Sequence, residues 1–402
     1  MSRPQILAVA YPAQGHVIPL LELSQCLARH GFRVTFVNTE HTHNRVMNDL
    51  QEKNSIGGEN QIHLASIPDG LEPWEDRNNL SKVMEITRKV MSEKLEELIK
   101  KINREEDEKI ICVIVDGITI PVAEKMKIRK VVFWPAAVAT LALFYNIPKL
   151  IDDGIIDKDD YLICNSVYDL EPEAFALVPN ILPIGPLLGS TRQGNSAGSF
   201  WPEDSTCLKW LDQQQPHSVI YVAFGSCTVL DKTQFQELAL GLELTNRPFL
   251  WVVRPDITDE ANEAYPEGFQ ERVAGRGQLV GWAPQQKVLS HPSIACFFSH
   301  CGWNSTLEGV SNGLPFLCWP YFADQFIDES YICDIWKVGL KFNKDESGII
   351  TKEEIKNKVE KVLGDESVKA RALELQETAL KSVKEGGQSD RNFKKLIEWI
   401  KA

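Results

Sequence analysis

Two polar residues that could move a proton follow apolar runs in the first half of the sequence. His16 follows the run Ile6–Tyr11, with Gly15 leaving room for another group, and Asp116 closes the run Ile110–Val115. If both runs are strands of one parallel sheet, their carboxyl ends lie side by side, and a carboxylate there can hold an imidazole that accepts a proton. The pattern favours a general base, although His16 also fits a polar helix position and Asp116 a helix cap.

A denser set of polar and aromatic residues lies further along the chain. The run Ile294–Ser299 predicts a strand, and the turn His300–Trp303 that follows it contains Gly302. A helix opening at Asn304 or Ser305 would direct its free N–H groups towards this turn. Such a helix start is an anion site suited to a diphosphate, with the histidine as an added donor.

Four further side chains near this turn suit the rest of a nucleotide sugar. Trp282 can stack on a base, and Glu308 can accept hydrogen bonds from ribose hydroxyls. Asp324 and Gln325 offer the acceptors and donors that sugar hydroxyls require. Tryptophans in the core and polar residues on loop surfaces would explain each residue separately, but they explain the whole set poorly.

Apolar runs alternate with amphipathic stretches in the first half, and several runs are apolar throughout, as expected for parallel strands covered on both faces. In this half we predict strands at Ile6–Tyr11, Arg33–Asn38, Ile62–Ile67, Ile110–Val115, Val131–Trp134 and Tyr161–Cys164, and helices at Val17–His30, Ser81–Lys101 and Ala136–Ile147.

A second series of the same kind follows the segment Leu188–Asp204, whose glycine- and serine-rich composition is typical of a linker. Two doubly wound halves would place ligands at the carboxyl ends of their strands, in the crevice between them. In the second half we predict strands at Val219–Phe224, Phe249–Val253, Gln278–Val280, Ile294–Ser299 and Pro315–Trp319, and helices at Lys232–Leu244, Ala323–Trp336, Lys352–Leu363, Ser367–Glu385 and Arg391–Lys401.

The amino-acid composition is that of a globular protein, and the net charge argues against a nucleic-acid-binding one. The chain has 402 residues, 43% of them hydrophobic and 25% charged, which are ordinary values for a globular protein with sizeable cores. Its 56 acidic residues outnumber its 43 basic ones, giving a net charge of −13, so nucleic acid is not expected as a partner.

The nine dispersed cysteines form no CxxC pair and predict small buried side chains in a reducing compartment. No signal peptide or membrane insertion is expected, and the predicted location is the cytoplasm. His41 and His43 fall in a polar stretch of the sequence that predicts a turn, and we predict no metal site there.

The stretch from Trp282 to Gln325 resembles the signature box of plant small-molecule UDP-glycosyltransferases (family 1, inverting, GT-B fold). The resemblance extends over nearly the whole chain. It implies two Rossmann-like parallel-sheet domains facing each other across a cleft, with an acceptor-binding domain at 1–187, a linker at 188–204 and a UDP-sugar-binding domain at 205–387. It also implies that the helix at 388–402 packs back on the first domain.

The resemblance also implies a role for each matching residue. The catalytic pair would be His16 as the general base with Asp116 as its partner. The donor-binding residues would be Trp282 on the uracil, Ala283 and Gln285 on the uridine, Glu308 on the ribose, Ser226, His300, Asn304 and Ser305 on the diphosphate, and Trp303, Asp324 and Gln325 on the sugar, with Gly302 also in the donor site.

The predicted function is transfer of glucose from UDP-glucose to a hydroxyl of a small hydrophobic metabolite by a monomer that needs no metal or other cofactor. The chain is shorter than this family, mostly between Ile156 and Tyr161 and slightly after Asp116, and Pro135 replaces a frequent hydroxyl residue. A nucleotide-sugar-binding protein with little or no transferase activity is therefore the alternative. A dinucleotide-dependent dehydrogenase is disfavoured because its glycine fingerprint is missing after the first strand.

Overall fold

The computed structural model describes residues 3–43, 62–72, 75, 80–106, 108–116, 126–144, 161–188, 203–258 and 264–402. The chain divides into two compact units, one formed by residues 1–201 with 381–402 and the other by residues 202–380. Most of the predicted linker at 188–204 lies outside the described residues, as do the shortened segments after Asp116 and before Tyr161.

The first unit contains a parallel sheet with the strand order β3-β2-β1-β4-β5-β6-β7. The strand order runs one way from β1 to β3 and the other way from β4 to β7, which is the doubly wound arrangement. The carboxyl ends of the neighbouring parallel strands β1 and β4 therefore form the switch point of the sheet. The elements are β1 Gln5–Val9, α1 Gln14–Arg29, β2 Arg33–Thr39, β3 His63–Ile67, α2 Leu80–Glu105, β4 Ile110–Asp116, β5 Arg129–Trp134, α3 Val138–Phe144, β6 Tyr161–Cys164, α4 Pro172–Leu177 and β7 Leu182–Pro183.

The second unit repeats this order as β10-β9-β8-β11-β12-β13, with the switch point between β8 and β11. The remaining elements are α5 Thr206–Leu211, β8 Val219–Ala223, α6 Lys232–Leu244, β9 Phe249–Val252, α7 Phe269–Val273, β10 Gly277–Val280, α8 Gln285–Leu289, β11 Ile294–Ser299, α9 Trp303–Ser311, β12 Phe316–Cys318, α10 Gln325–Ser330, β13 Gly339–Lys341, α11 Lys352–Gly364, α12 Glu366–Val383 and α13 Gln388–Lys401.

The helix α13 completes the core of the first unit. Its buried Phe393, Leu396 and Ile400 join the same apolar cluster as α1 and the strands β1 and β2. Arg129 at the start of β5 fastens the helix end, because its guanidinium donates to the backbone carbonyl of Trp399 at 2.7 Å. The amphipathic spacing of this helix is thus satisfied by the first unit, although the helix follows the second unit in the sequence.

Several predicted boundaries differ from the structure. Helix α1 begins at Gln14, three residues before the predicted start, because the backbone N–H groups of His16 and Val17 already bond to the carbonyl of Ala13. The predicted helix Ala323–Trp336 is wrong in detail: α10 covers only Gln325–Ser330 and continues as a π-helical turn to residue 335. Strands β7 and β13 were not predicted, since two or three residues carry too little periodicity to be recognised.

Seven of the nine cysteines are buried, as expected for small apolar side chains, while Cys227 is exposed and Cys333 is half-buried. Among the helices that the structure describes, none is both long enough and apolar enough to cross a bilayer.

Candidate functional site

The switch point of the first sheet holds an imidazole against a buried carboxylate. His16 lies in the first turn of α1, and its Nδ1 is 3.0 Å from both oxygens of Asp116, the last residue of β4. The side chain of Asp116 is fully buried, whereas 35% of the His16 side chain is exposed. The predicted contact between these two residues is therefore present in the structure.

The pairing of strands β1 and β4 explains how His16 and Asp116 are aligned. Strands β1 and β4 are hydrogen-bonded neighbours, with Val9 opposite Val115, so the chain leaves both strands at the same level. The backbone N–H of Tyr11 donates to Asp116 at 3.4 Å, and the tyrosine ring packs edge-on against the His16 imidazole. Carboxylate and ring are thus held from two sides, which fixes Nδ1 as the nitrogen turned towards Asp116.

The switch point of the second sheet also carries a histidine, but its surroundings differ. His300 follows β11, and its Nε2 lies between two turns: a Cβ atom on Gly225 would come within 2.5 Å of it and one on Gly302 within 2.6 Å. Gly225 also has a φ of +66°, a conformation that side chains disfavour. Both glycines are therefore required if the imidazole is to fit between the turns.

This second imidazole is held neutral. Burial lowers the pKa of His300 to about 4, and the positive charge of Arg254 adds to that effect while the backbone carbonyl of Ala223 opposes it. At neutral pH the ring therefore carries one proton and can act as a hydrogen-bond donor without acting as a cation.

Helix α9 starts beside this histidine, at Trp303 rather than at Asn304 or Ser305 as predicted. Gly302 is its N-cap and provides no side-chain hydrogen bond to the first turn. The side chain of Trp303 is buried against Trp336, so any contact of this residue with a sugar would come from its backbone. The half-buried side chain of Asn304 remains at the helix start.

A hydrogen-bonded network holds Glu308, one turn further along the same helix. The side-chain amide of Gln285 donates to one Glu308 oxygen at 2.6 Å and to the Ser305 hydroxyl at 2.9 Å. The amide of Gln286 donates to the other Glu308 oxygen at 3.2 Å. Burial raises the pKa of Glu308 above its ordinary value, and the two amides act against that rise. The structure thus brings three predicted donor-site residues into direct contact.

The other predicted donor-site residues of the second unit lie around this network. Ser226 follows β8 and is half-buried, as is Trp282, which precedes α8 and accepts a backbone hydrogen bond from Asp204. Ala283 is buried. Trp282 is therefore partly accessible, as a stacking role requires.

Asp324 and Gln325 stand at the start of α10. Asp324 is half-buried, whereas Gln325 is buried and its side-chain oxygen accepts hydrogen bonds from the backbone N–H groups of Tyr321 at 2.7 Å and Phe322 at 3.1 Å. The preceding Ala323 has a φ of +55°. The Gln325 oxygen therefore closes its own loop, and only its amide nitrogen is left to donate to a ligand.

Sequence reasoning missed three residues that support these groups. Tyr221 on β8 donates from its buried hydroxyl to Gln285 at 3.2 Å, Gln286 holds Glu308, and Arg254 binds the turn that carries Ser226. The available signals were a tyrosine inside an apolar strand and an arginine directly after another strand. Both signals are weak, because neither fixes the direction of the side chain.

No cluster of three or more metal-binding side chains occurs within the described ranges. A second contact between histidine and carboxylate does occur in the second unit: His291 lies 3.2 Å from Asp212 and 2.8 Å from the Ser293 hydroxyl. Ser293 is buried and its backbone N–H also bonds to this ring, so the arrangement fastens a loop and offers no accessible nucleophile.

Comparison with known proteins gives consistent matches. The sequence profile described as "UDP-glucoronosyl and UDP-glucosyl transferase" matches residues 202–380. UDP-glycosyltransferase 83A1 of Arabidopsis thaliana is 42% identical over an alignment of 469 positions that covers 100% of this chain and 98% of that protein. Since this chain has 402 residues, the relative carries segments that this chain lacks.

Two solved structures show the same fold. Os79 from O. sativa in complex with UDP superposes with a TM-score of 0.85 at 26% identity, covering 98% of this chain and 100% of that one. Phytolacca americana UGT2, complexed with UDP-2fluoro-glucose and pterostilbene, gives a TM-score of 0.80 at 27% identity and covers 99% and 100%. The expected fold class, with two Rossmann-like parallel sheets, is confirmed. The chain therefore belongs to the plant UDP-glycosyltransferases of family 1, with the GT-B fold, and is a glycosyltransferase.

Proposed function

We propose that this enzyme transfers glucose from UDP-glucose to a hydroxyl group of a small, largely apolar metabolite, with inversion at the anomeric carbon. The observation that carries the proposal is the His16–Asp116 pair, a partly exposed imidazole held by a fully buried carboxylate. The UDP and UDP-sugar complexes of the structural relatives support the choice of donor.

His16 acts as the general base in this proposal. Its Nδ1 is turned towards Asp116, so Nε2 takes the acceptor proton while the acceptor oxygen attacks the anomeric carbon from the face opposite UDP. The bond between the sugar and the diphosphate breaks, its electron pair leaves with UDP, and an α-linked donor gives a β-glycoside. Asp116 stabilises the imidazolium that forms, as the carboxylate of a catalytic triad does.

The negative charge that develops on UDP is stabilised by the second unit. Helix α9 presents the N–H groups of its first turn, and Gly302 at its N-cap leaves them accessible from that side. His300 adds a neutral N–H donor, and Ser226 adds a hydroxyl. Donors fixed before the reaction stabilise the leaving group more than the bound substrate, which is a transition-state effect.

Uridine and sugar recognition follow from the remaining groups. The oxygens of Glu308 are already held by two glutamine amides and can accept further hydrogen bonds from ribose hydroxyls, while Trp282 stacks on the base. The Gln325 amide nitrogen donates to a sugar hydroxyl. Because the N–H groups at the start of α9, His300 and Ser226 stabilise the charge on UDP, we propose that no metal is required, and activity should persist in excess chelator.

The alternative is a nucleotide-sugar-binding protein with little transferase activity. It is favoured by one observation, the segments present in the Arabidopsis relative and absent from this chain. In the first unit, where the resemblance places the acceptor, such a loss would leave donor binding intact.

A combined donor and acceptor screen tests the proposal. UDP-glucose, UDP-galactose and UDP-glucuronic acid are each incubated with a panel of phenols, flavonoids and terpenoid alcohols, and conjugates are detected by mass spectrometry. We expect a hexose conjugate from UDP-glucose whose NMR spectrum shows the anomeric proton coupling of a β-glycoside. UDP-glucose binding by calorimetry without any conjugate would support the alternative, and absence of binding would contradict both.

A further inference from the structure

A buried arginine of the second unit contacts the turn that carries Ser226. Arg254 follows β9, its side chain is 2% exposed, and its guanidinium donates to Asp256 at 2.9 Å, to the backbone carbonyl of Thr228 at 2.7 Å and to that of Gly225. A guanidinium so deeply buried is costly unless its donors are satisfied, and here backbone carbonyls satisfy two of its three nitrogens.

The two carbonyls flank the turn between β8 and α6. In a planar trans peptide the C=O and N–H groups point in opposite directions, so the bond from Arg254 to the Gly225 carbonyl turns the N–H of Ser226 away from the guanidinium. Among the residues that the structure describes, no acceptor is hydrogen-bonded to this N–H. The turn therefore holds an unused donor in a fixed direction, as anion-binding turns do.

The same glycine lies against the imidazole of the neighbouring strand end. A Cβ atom on Gly225 would approach Nε2 of His300 within 2.5 Å, so the backbone that Arg254 holds is also one wall of the His300 position. The arginine thereby fixes two predicted diphosphate-binding groups, the N–H of Ser226 and the ring of His300, without being exposed to the ligand itself.

We propose that Arg254 is a positioning residue for the diphosphate of the donor: it holds the turn Gly225–Thr228 in the form that presents the Ser226 N–H and seats His300. This inference rests on the proposed function, since it assumes a UDP-sugar as the ligand. It predicts that changes at Arg254 weaken recognition of the diphosphate and leave recognition of the nucleoside unaltered, because Gln285 and Glu308 are hydrogen-bonded to each other and Gln285 to Ser305, outside this turn.

The test compares Arg254→Met and Arg254→Lys with the unaltered enzyme, using inhibition constants for UDP and for uridine. We expect Arg254→Met to raise the inhibition constant of UDP about tenfold or more, because the charge-assisted hydrogen bonds that hold the turn are lost. The inhibition constant of uridine should change less than twofold. The KM for UDP-glucose should rise and the KM for the acceptor should stay constant. Arg254→Lys should also weaken UDP, because one ammonium cannot span both carbonyls.

Arg272→Met is the matched control, since Arg272 is half-exposed, pairs with Glu243 and contacts none of these groups. Equal UDP inhibition in the unaltered enzyme and both Arg254 variants would overturn the positioning role alone. Parallel losses for UDP and uridine would also overturn it, as a general structural effect. If Arg254→Met does not fold, the UDP-to-uridine ratio of Arg254→Lys decides. Failure of the unaltered enzyme to bind UDP would instead overturn the proposed function, and this inference with it.

Discussion

The two sheets share one strand order and place a histidine at the same switch point, yet they treat it in opposite ways. In the first unit, His16 is partly exposed and faces the buried carboxylate of Asp116. In the second, His300 sits between two glycines with the guanidinium of Arg254 nearby, and burial with that positive charge lowers its pKa to about 4.

The fold therefore supplies the position of each histidine, and the neighbouring charge determines its chemistry. A carboxylate partner suits an imidazole that must accept a proton during a reaction. A cationic neighbour and burial suit an imidazole that must stay neutral and donate a hydrogen bond. Histidine thus serves as the proposed general base in one unit and as a proposed hydrogen-bond donor to the diphosphate in the other.

Removing the first histidine should have the largest effect. His16→Ala should lower turnover by roughly 10²–10⁴-fold, the usual contribution of a general base, and leave UDP affinity unchanged. Initial rates and calorimetry check this, with the exposed His63→Ala as control. Undiminished turnover in His16→Ala would contradict the assignment of the base.

Removing the charge of its partner should have a smaller effect. Asp116→Asn keeps the shape of the side chain and loses a charge-assisted hydrogen bond worth about 1.5–3 kcal/mol, so turnover should fall roughly 10- to 100-fold. Initial rates at saturating UDP-glucose measure this change in turnover. Full turnover in Asp116→Asn would contradict its role as the partner of His16 and would leave Asp116 with a structural role only.

Crowding the second histidine should weaken donor binding. Gly225→Ala places a Cβ against the His300 ring at a residue with positive φ, and strain of this kind costs about 1–3 kcal/mol, so UDP affinity should fall about tenfold. Gly275→Ala is the control, because nothing lies within 4 Å of its added Cβ. Similar affinities for both variants would contradict the tight fit around His300.

The smallest expected change is in the titration of His300. In the ligand-free enzyme, its ring signals in histidine-labelled NMR spectra, assigned with His300→Gln, should not move between pH 8 and about 5, because its pKa is about 4. The unfolded chain has an ordinary histidine pKa of about 6.5 and binds the proton first. His300 therefore makes the folded state less stable as pH falls from about 6.5 to about 4. A midpoint near 6.5 would contradict the neutral donor.

Sequence patterns predicted the strands best, and they predicted one contact of the site. Tyr161–Cys164 and Ile294–Ser299 agree with β6 and β11 at both ends, since uniform apolar runs in parallel sheets end sharply at polar residues. The approach of His16 to Asp116 followed from the side-by-side ends of two strands, and the distance of 3.0 Å bears it out.

Contacts that depend on side-chain direction could not be predicted. The bonds of Gln285 to Tyr221 and Glu308 join residues that are 64 and 23 positions apart, and no local pattern sets their geometry. The helix predicted from Ala323 failed because Ala323 takes a left-handed conformation and Gln325 bonds back to its own loop. Propensity gives no warning of such a turn, since alanine favours helices.

The return of α13 to the first unit has a consequence for biosynthesis. The second unit is made from one continuous segment, residues 202–380, whereas Phe393, Leu396 and Ile400 are translated only after all of that segment. At about 5–20 residues per second, the first sheet therefore waits several seconds or more on the ribosome with part of its apolar surface uncovered. Chaperone dependence during synthesis should therefore originate in the half that is translated first.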